Sequence, residues 1–581
     1  MDLTRRRFRF ISILISIVML LGIRSLFGQD YINAQLPWHK AVLDPQGRVL
    51  AWYHPEKNLG YDEFLRLDWD FLEHKVPNEG NTGLKLYLVS SVYDPDTLQG
   101  IKSHADIQHN PAGLYAHLVD LLAGWYPYSG DEEAIRVVRE MLDYQLAHGT
   151  TPADWDWPNV PFATSCDDDL EYGRCFRDVP TDFYGGIETD KIGELGLGYV
   201  LVYEMTGERK YLEAGLKCAD ALAKHVPGAS SEGPEYPWTK RYVHAGDATH
   251  TPWPFRVDAR TGEVIDGEEF GGMIVAPVRL FDELLRLGAG DTVDYRKARD
   301  LAWKWILDNP LNTSSPAFDR WTGYYEDVPK DTENVNDMTS MMTAYYILSR
   351  DDPSTVDPEW QTHVGYLLDR SRGLLGRGPF YGAWAIDEQQ RPLQNIPFTS
   401  ARGCCSRAGL SCRTSAWGAI NAMYYEKTGD GSARENAFRS LNYATYFAAS
   451  DGKIACCGVG AASSLYWFED GYADAGRSFT WAMGAVPEFA PVGQDHLLRS
   501  SSVVQKVLYA DRRIEYRTFD NTGTDVLRLS FKPVRVAGQG TALAERSDLK
   551  EEGYTLKLLP DGDYVVRVRR VKTNEVRISG K

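Results

Sequence analysis

Carboxyl groups gather where apolar helices should begin. In the stretch from Gly185 to Gly207, Glu188, Asp190 and Glu194 lead into Leu195–Met205, which is apolar on nearly every face, and Thr206-Gly207 stops it. A helix apolar all round belongs inside a large core, and its positive N-terminal end favours anions. Other acids precede further apolar runs: Glu268 and Glu269, Glu326 and Asp327, Asp337, and Glu469 with Asp470. Two carboxyl groups flanking a bond suit glycoside hydrolysis, one giving a proton and the other acting as base or nucleophile. Asp190, near a helix start, fits the ionised partner. Asp337, after uncharged asparagines and beside Met338, fits the proton donor. Glu188 and Asp470 are the substitutes for either role. For each acid the plain alternative is a helix cap with no catalytic part.

Aromatic and basic residues in the intervening loops extend the set. Trp155, Trp157, Trp253 and Tyr324 are candidate platforms for a sugar ring, or else aromatics packed on a rim. A β-elimination would instead need a base and a group neutralising a uronate carboxylate. His104, His109, Arg256 and Arg413, with Arg402 and Arg407, are the residues that would supply them. No cofactor is expected. Cys404, Cys405, Cys456 and Cys457 frame one hairpin; the expectation is disulfides, with zinc the alternative occupant. Cys166 and Cys175 bracket a short acidic loop and are expected to pair, while Cys218 lies on a buried helix stripe.

The elements that must position these groups are helical hairpins. Inner helices are expected to start near 111, 190, 271, 337, 413 and 475, each leading into an amphipathic return such as Leu212, Leu216, Ala219, Leu222 and Val226. Six repeats at such a period describe a helical array, here an (α/α)6 toroid over residues 101–498. An irregular region, 35–100, shows no clear period. After about Ser500 the pattern alternates, as at Ile514, Tyr516 and Thr518, with turns at Asp520–Gly523 and Pro560–Asp563. Residues 499–581 should form a small antiparallel β domain.

The chain has 581 residues and a formal net charge of −18. That charge argues against nucleic acid and strongly anionic polymers as partners, although a local basic cleft can coexist with an acidic surface. Residues 1–28 carry Arg5-Arg6-Arg7-Phe8 before the apolar run Ile11–Ile23. This is the pattern of an export signal, of twin-arginine or ordinary secretory type, or of a retained anchor. Export to the periplasm or beyond is the expectation, with contact to a membrane only through this segment.

A six-hairpin toroid with a C-terminal β domain, long acidic and aromatic loops and an export signal resembles the six-hairpin glycosidases and related polysaccharide lyases. The resemblance covers about 370 residues and is architectural. It implies a carbohydrate substrate, with hydrolysis of a neutral or weakly charged glycan as the first expectation. Lyase action on a uronate-containing glycan and a non-catalytic glycan-binding role are the alternatives. The adjacent cysteine pairs resemble those of zinc-bound, cysteine-nucleophile arabinofuranosidases, though the matching glutamate and spacing are absent.

Overall fold

The computed structural model describes residues 39–94, 97–100, 109–166, 170–175, 183–226, 251–266, 274–319, 321, 338–374, 411–454 and 466–581. Among these, twelve α-helices form two concentric rings. The inner helices are α2 (Pro111–Ser129), α4 (Thr189–Thr206), α6 (Val275–Leu287), α8 (Met338–Leu348), α10 (Ser411–Thr428) and α12 (Asp474–Ala485). Each touches the next, and α12 closes back on α2. The outer helices are α1 (Gly60–Asp70), α3 (Glu133–His148), α5 (Arg209–His225), α7 (Thr292–Asp308), α9 (Trp360–Leu374) and α11 (Gly431–Ala444). The fold is an (α/α)6 toroid.

Local chemistry explains the hairpins. Asn110 accepts a hydrogen bond from the Gly113 amide and Pro111 opens α2, while Gly130 and Gly207 end α2 and α4 in the left-handed conformation. Inner helices begin within a few residues of the expected positions. The departure is at the N-terminus: α1, in a region where no period is visible, is the sixth outer helix and packs on α12. Its buried face carries Tyr61, Phe64, Leu65 and Trp69 but also Asp62 and Asp68, and these acids break the apolar stripe.

The C-terminal region is a two-sheet sandwich. The strands are β1 (His496–Ser500), β2 (Val504–Ala510), β3 (Arg513–Thr518), β4 (Gly523–Leu529), β5 (Pro533–Gly538), β6 (Thr541–Ala542), β7 (Gly553–Leu558), β8 (Tyr564–Arg570) and β9 (Glu575–Gly580). One sheet runs β1-β4-β8-β7 and the other β2-β3-β9-β5-β6. It sits on the C-terminal ends of the inner helices. His496 stacks on Tyr128 with centroids 3.9 Å apart, Tyr509 donates to the Pro127 carbonyl, and Gln505 donates to the Glu204 carbonyl at 2.8 Å. Arg499 grips Glu426 at 2.6 and 2.7 Å. The N-terminal ends of the inner helices therefore face the other way.

Candidate active site

At that other end, charged side chains from four inner helices meet in the centre of the ring. His117 comes from α2, Lys191 and Glu194 from α4, Arg413 from α10, and Asp474 and Arg477 from α12. All are buried. His117 Nδ1 lies 3.0 Å from Asp474 Oδ1, which Arg477 Nη2 approaches at 2.7 Å. On its other side His117 Nε2 lies 3.6 Å from Glu194 Oε2, and Lys191 Nζ is 3.6 Å from the same oxygen. Arg477 Nη1 also reaches Asp120 Oδ2 at 3.2 Å, one turn deeper on α2.

Charges this deep persist only when paired. Burial by itself would lower the His117 pKa, but the Asp474 and Glu194 carboxylates outweigh it and hold the ring protonated up to about 9. Burial would likewise raise Glu194 and Asp474. Lys191 and His117 instead bring Glu194 down, and Arg477 and His117 bring Asp474 down, so both are ionised. The two 3.6 Å contacts to Glu194 Oε2 are electrostatic, too long for hydrogen bonds. Among the described residues no group donates a hydrogen bond to that oxygen.

The residues expected from sequence fall into three sets. Glu188 and Asp190 are beside the cluster, each with charged or polar partners of its own. Glu188 is wholly buried on the strand Gly186–Glu188, where Arg256 on the paired strand donates to Oε1 at 3.1 Å and Asn110 donates to Oε2 at 3.0 Å. This ties strand, strand and helix cap together, and pairs Glu188, a catalytic candidate from sequence, with Arg256, a substrate-binding candidate. Asp190 takes both the backbone amide and the ammonium of Lys191, at 2.8 and 2.9 Å, so it holds Lys191 in place. Arg413 is buried and bears electrostatically on Asp474.

A second set is packed away. Trp157 is fully buried with its face on His225, 3.7 Å between centroids, and the Trp253 indole donates to the Leu222 carbonyl at 3.0 Å. Neither offers a ring face to a sugar. Trp155 is half-buried, edge-on to Phe162 and Tyr184. His109 is also wholly buried, bonded to the Leu88 carbonyl, and burial pushes its pKa down to about 3, so it stays neutral. The third set, His104, Tyr324, Asp337, Cys404, Cys405, Cys456 and Cys457, lies outside the described residues, as do Glu268, Glu269, Glu326, Asp327, Arg402 and Arg407; of Asp470 only the backbone is described. Cys166 and Cys175 form the expected disulfide, and Cys218 is a buried free thiol.

His117, Lys191, Asp474 and Arg477 were missed as site residues. The available signal was ionisable residues inside helices otherwise apolar all round, with opposite charges three apart at Lys191/Glu194 and Asp474/Arg477. Among the described residues, no group of three or more His, Cys, Asp or Glu side chains is placed to hold a metal ion, and no helix is long and apolar enough to cross a membrane.

No family model matches the chain, and no curated protein matches it. Solved structures with the same architecture include a GH76 alpha-mannanase from Bacteroides thetaiotaomicron, at 10% identity, covering 73% of this chain and 97% of its own with a TM-score of 0.43. Cellobiose 2-epimerase from Spirochaeta thermophila matches at 8% identity over 75% and 98%, TM-score 0.46. A polysaccharide lyase matches at 14% identity over 74% of this chain and 53% of that one, TM-score 0.42. At these identities the likeness is one of architecture.

Proposed function

We propose that the chain is a carbohydrate-active enzyme, a glycoside hydrolase whose site lies at the N-terminal end of the inner ring. The observation that carries this is Glu194: an ionised carboxylate on an inner helix, held between His117 and Lys191, with one oxygen that no described group hydrogen-bonds. Such an oxygen can take a proton from a water or a sugar hydroxyl, the task of the ionised member of a glycosidase pair. His117 and Lys191 set its charge state without blocking it. The role first given to Asp190 thus passes to Glu194.

The proton-donating member is assigned to Asp337. What supports it is its place in sequence, directly before Met338, the first residue of inner helix α8. A neutral substrate is taken over a uronate on the chain's net charge of −18. In the cluster His117, Lys191, Arg413 and Arg477 stand with Asp190, Glu194, Asp474 and Asp120, and Arg279 on α6 adds a fifth cation 3.8 Å from Asp120 Oδ2.

The test is a panel of neutral and uronate-containing glycans with product mass spectrometry. Hydrolysed neutral products are expected. Unsaturated uronate products would replace this reading with the lyase, and binding without turnover would replace it with a glycan-binding role. Asp337→Asn should lower kcat by at least about 10²-fold, the usual scale for losing acid–base catalysis.

A further inference from the structure

The five-stranded sheet of the C-terminal sandwich has one buried face and one open face. Along β3, Ile514, Tyr516 and Thr518 point inward and are buried, while Arg513 and Arg517 point outward and are exposed. The same alternation holds on β9, with Val576 and Ile578 inward and Glu575 and Arg577 outward. The open face curves into a groove of about 590 Å³. Its lining carries Lys506, Arg513, Arg517, Arg535 and Arg577 against two acids, Glu515 and Glu575.

Strand register sets these cations side by side. Lys506 pairs with Arg517 across β2 and β3, and Glu515 pairs with Arg577 across β3 and β9. Glu515 is shared by Arg513 and Arg577. Lys506 and Arg517 have no ion-pair partner among the described residues, yet stand directly opposite one another, where like charges are unfavourable without a counter-anion. In a chain of net charge −18 this is a local reversal of sign.

We propose that this groove binds an anionic polysaccharide chain, at a site separate from the catalytic cluster. The sandwich covers the opposite ends of the inner helices, so the groove is not part of the ring's centre. Its chemistry selects the ligand. The lining has no Trp or Phe, and its one Tyr, Tyr516, is turned inward, so a neutral sugar finds no ring to stack on. Guanidinium groups present fixed pairs of N–H donors that fit carboxylate and sulfate alike. A groove crossing adjacent strands, about 4.8 Å apart, meets a flexible polyanion with a cation on successive strands. Carboxylated and sulfated glycans share this chemistry. The proposal is independent of the reaction assigned to Glu194.

Binding of the full chain to polygalacturonate, dextran sulfate and neutral dextran, by affinity electrophoresis at low and high salt, tests it. Retardation by polygalacturonate, by dextran sulfate or by both is expected, with the stronger arm naming the anion. Dextran should have no effect, and half-molar salt should weaken the retardation at least tenfold, since exposed charges are screened beyond a few ångströms there. The double variant Lys506→Glu, Arg517→Glu should lose at least tenfold in affinity with an unchanged melting temperature. No retardation by either polyanion overturns the proposal, as does binding that survives both salt and charge reversal. Tighter binding to duplex DNA or to anionic phospholipid vesicles would also overturn it.

Discussion

His117 stands between Glu194 and Asp474 with a proton. His117 titrates near 9 in the folded chain against an ordinary value of 6.5. Its stabilising contribution is therefore full below pH 6.5 and is lost as pH rises through about 9. Glu194 and Asp474 shift the other way, so their contribution is present above their ordinary values of 4.5 and 3.8 and is lost on acidification. Melting temperature measured against pH should fall from pH 6.5 to 9, and His117→Asn should flatten that slope while lowering stability overall. An equally steep fall in the variant would place the titrating group elsewhere. At this scale the sequence was half legible. Acids at helix starts were visible, but which were free and which tied could not be read, because Arg256 and Asn110, the partners of Glu188, lie far from it in the chain.

Close approach of helices decides which glycines are replaceable. Gly193 precedes Glu194 on α4, and a Cβ there would meet the backbone nitrogen of Pro277 on α6 at 2.4 Å. Gly193→Ala must push two inner helices apart and should cost about 1–3 kcal/mol, the usual range for overpacking, measured by urea unfolding. Gly365, inside outer helix α9, has nothing within 4 Å of its missing Cβ. Gly365→Ala should be neutral or stabilising by up to about 1 kcal/mol, the gain in helix propensity. Comparable losses at both positions would contradict the packing described. Five of the six outer helices, and every inner one, could be located from periodicity and stops. Helix α1 could not, since Asp62 and Asp68 on its buried face mask the apolar stripe that periodicity relies on. Burial pushes the Asp68 carboxyl well above the usual carboxylate range, which favours its neutral form.

Across the whole molecule, the sandwich is clamped to the toroid. Arg286 on α6 reaches Glu204 and Glu283 in the toroid and Asp520 in the sandwich at 2.7 Å, alongside the Arg499–Glu426 pair and the Tyr128–His496 stack. With so many links sharing buried groups, toroid and sandwich should unfold as one unit. Loss of the helix signal and loss of the sheet signal, both followed by infrared amide spectra on heating, should coincide; tryptophan fluorescence reports the toroid alone, since all the tryptophans lie before residue 482. A helical transition well separated from loss of the sheet signal would show two independent units. The alternation after Ser500 made the β domain visible in the sequence, but not that it caps one end of the ring and leaves the other for the site. That follows from contacts between residues hundreds of positions apart.

The most direct measurement of the central claim is the turnover of Glu194→Gln on the glycan that the wild-type chain cleaves. The substitution keeps shape and removes only the charge. The account predicts a loss in kcat of at least about 10²-fold, with KM changed by much less and the fold intact by dichroism. Turnover close to wild type in a folded Glu194→Gln chain would contradict it, and would make the buried cluster a structural ion network instead of an active site.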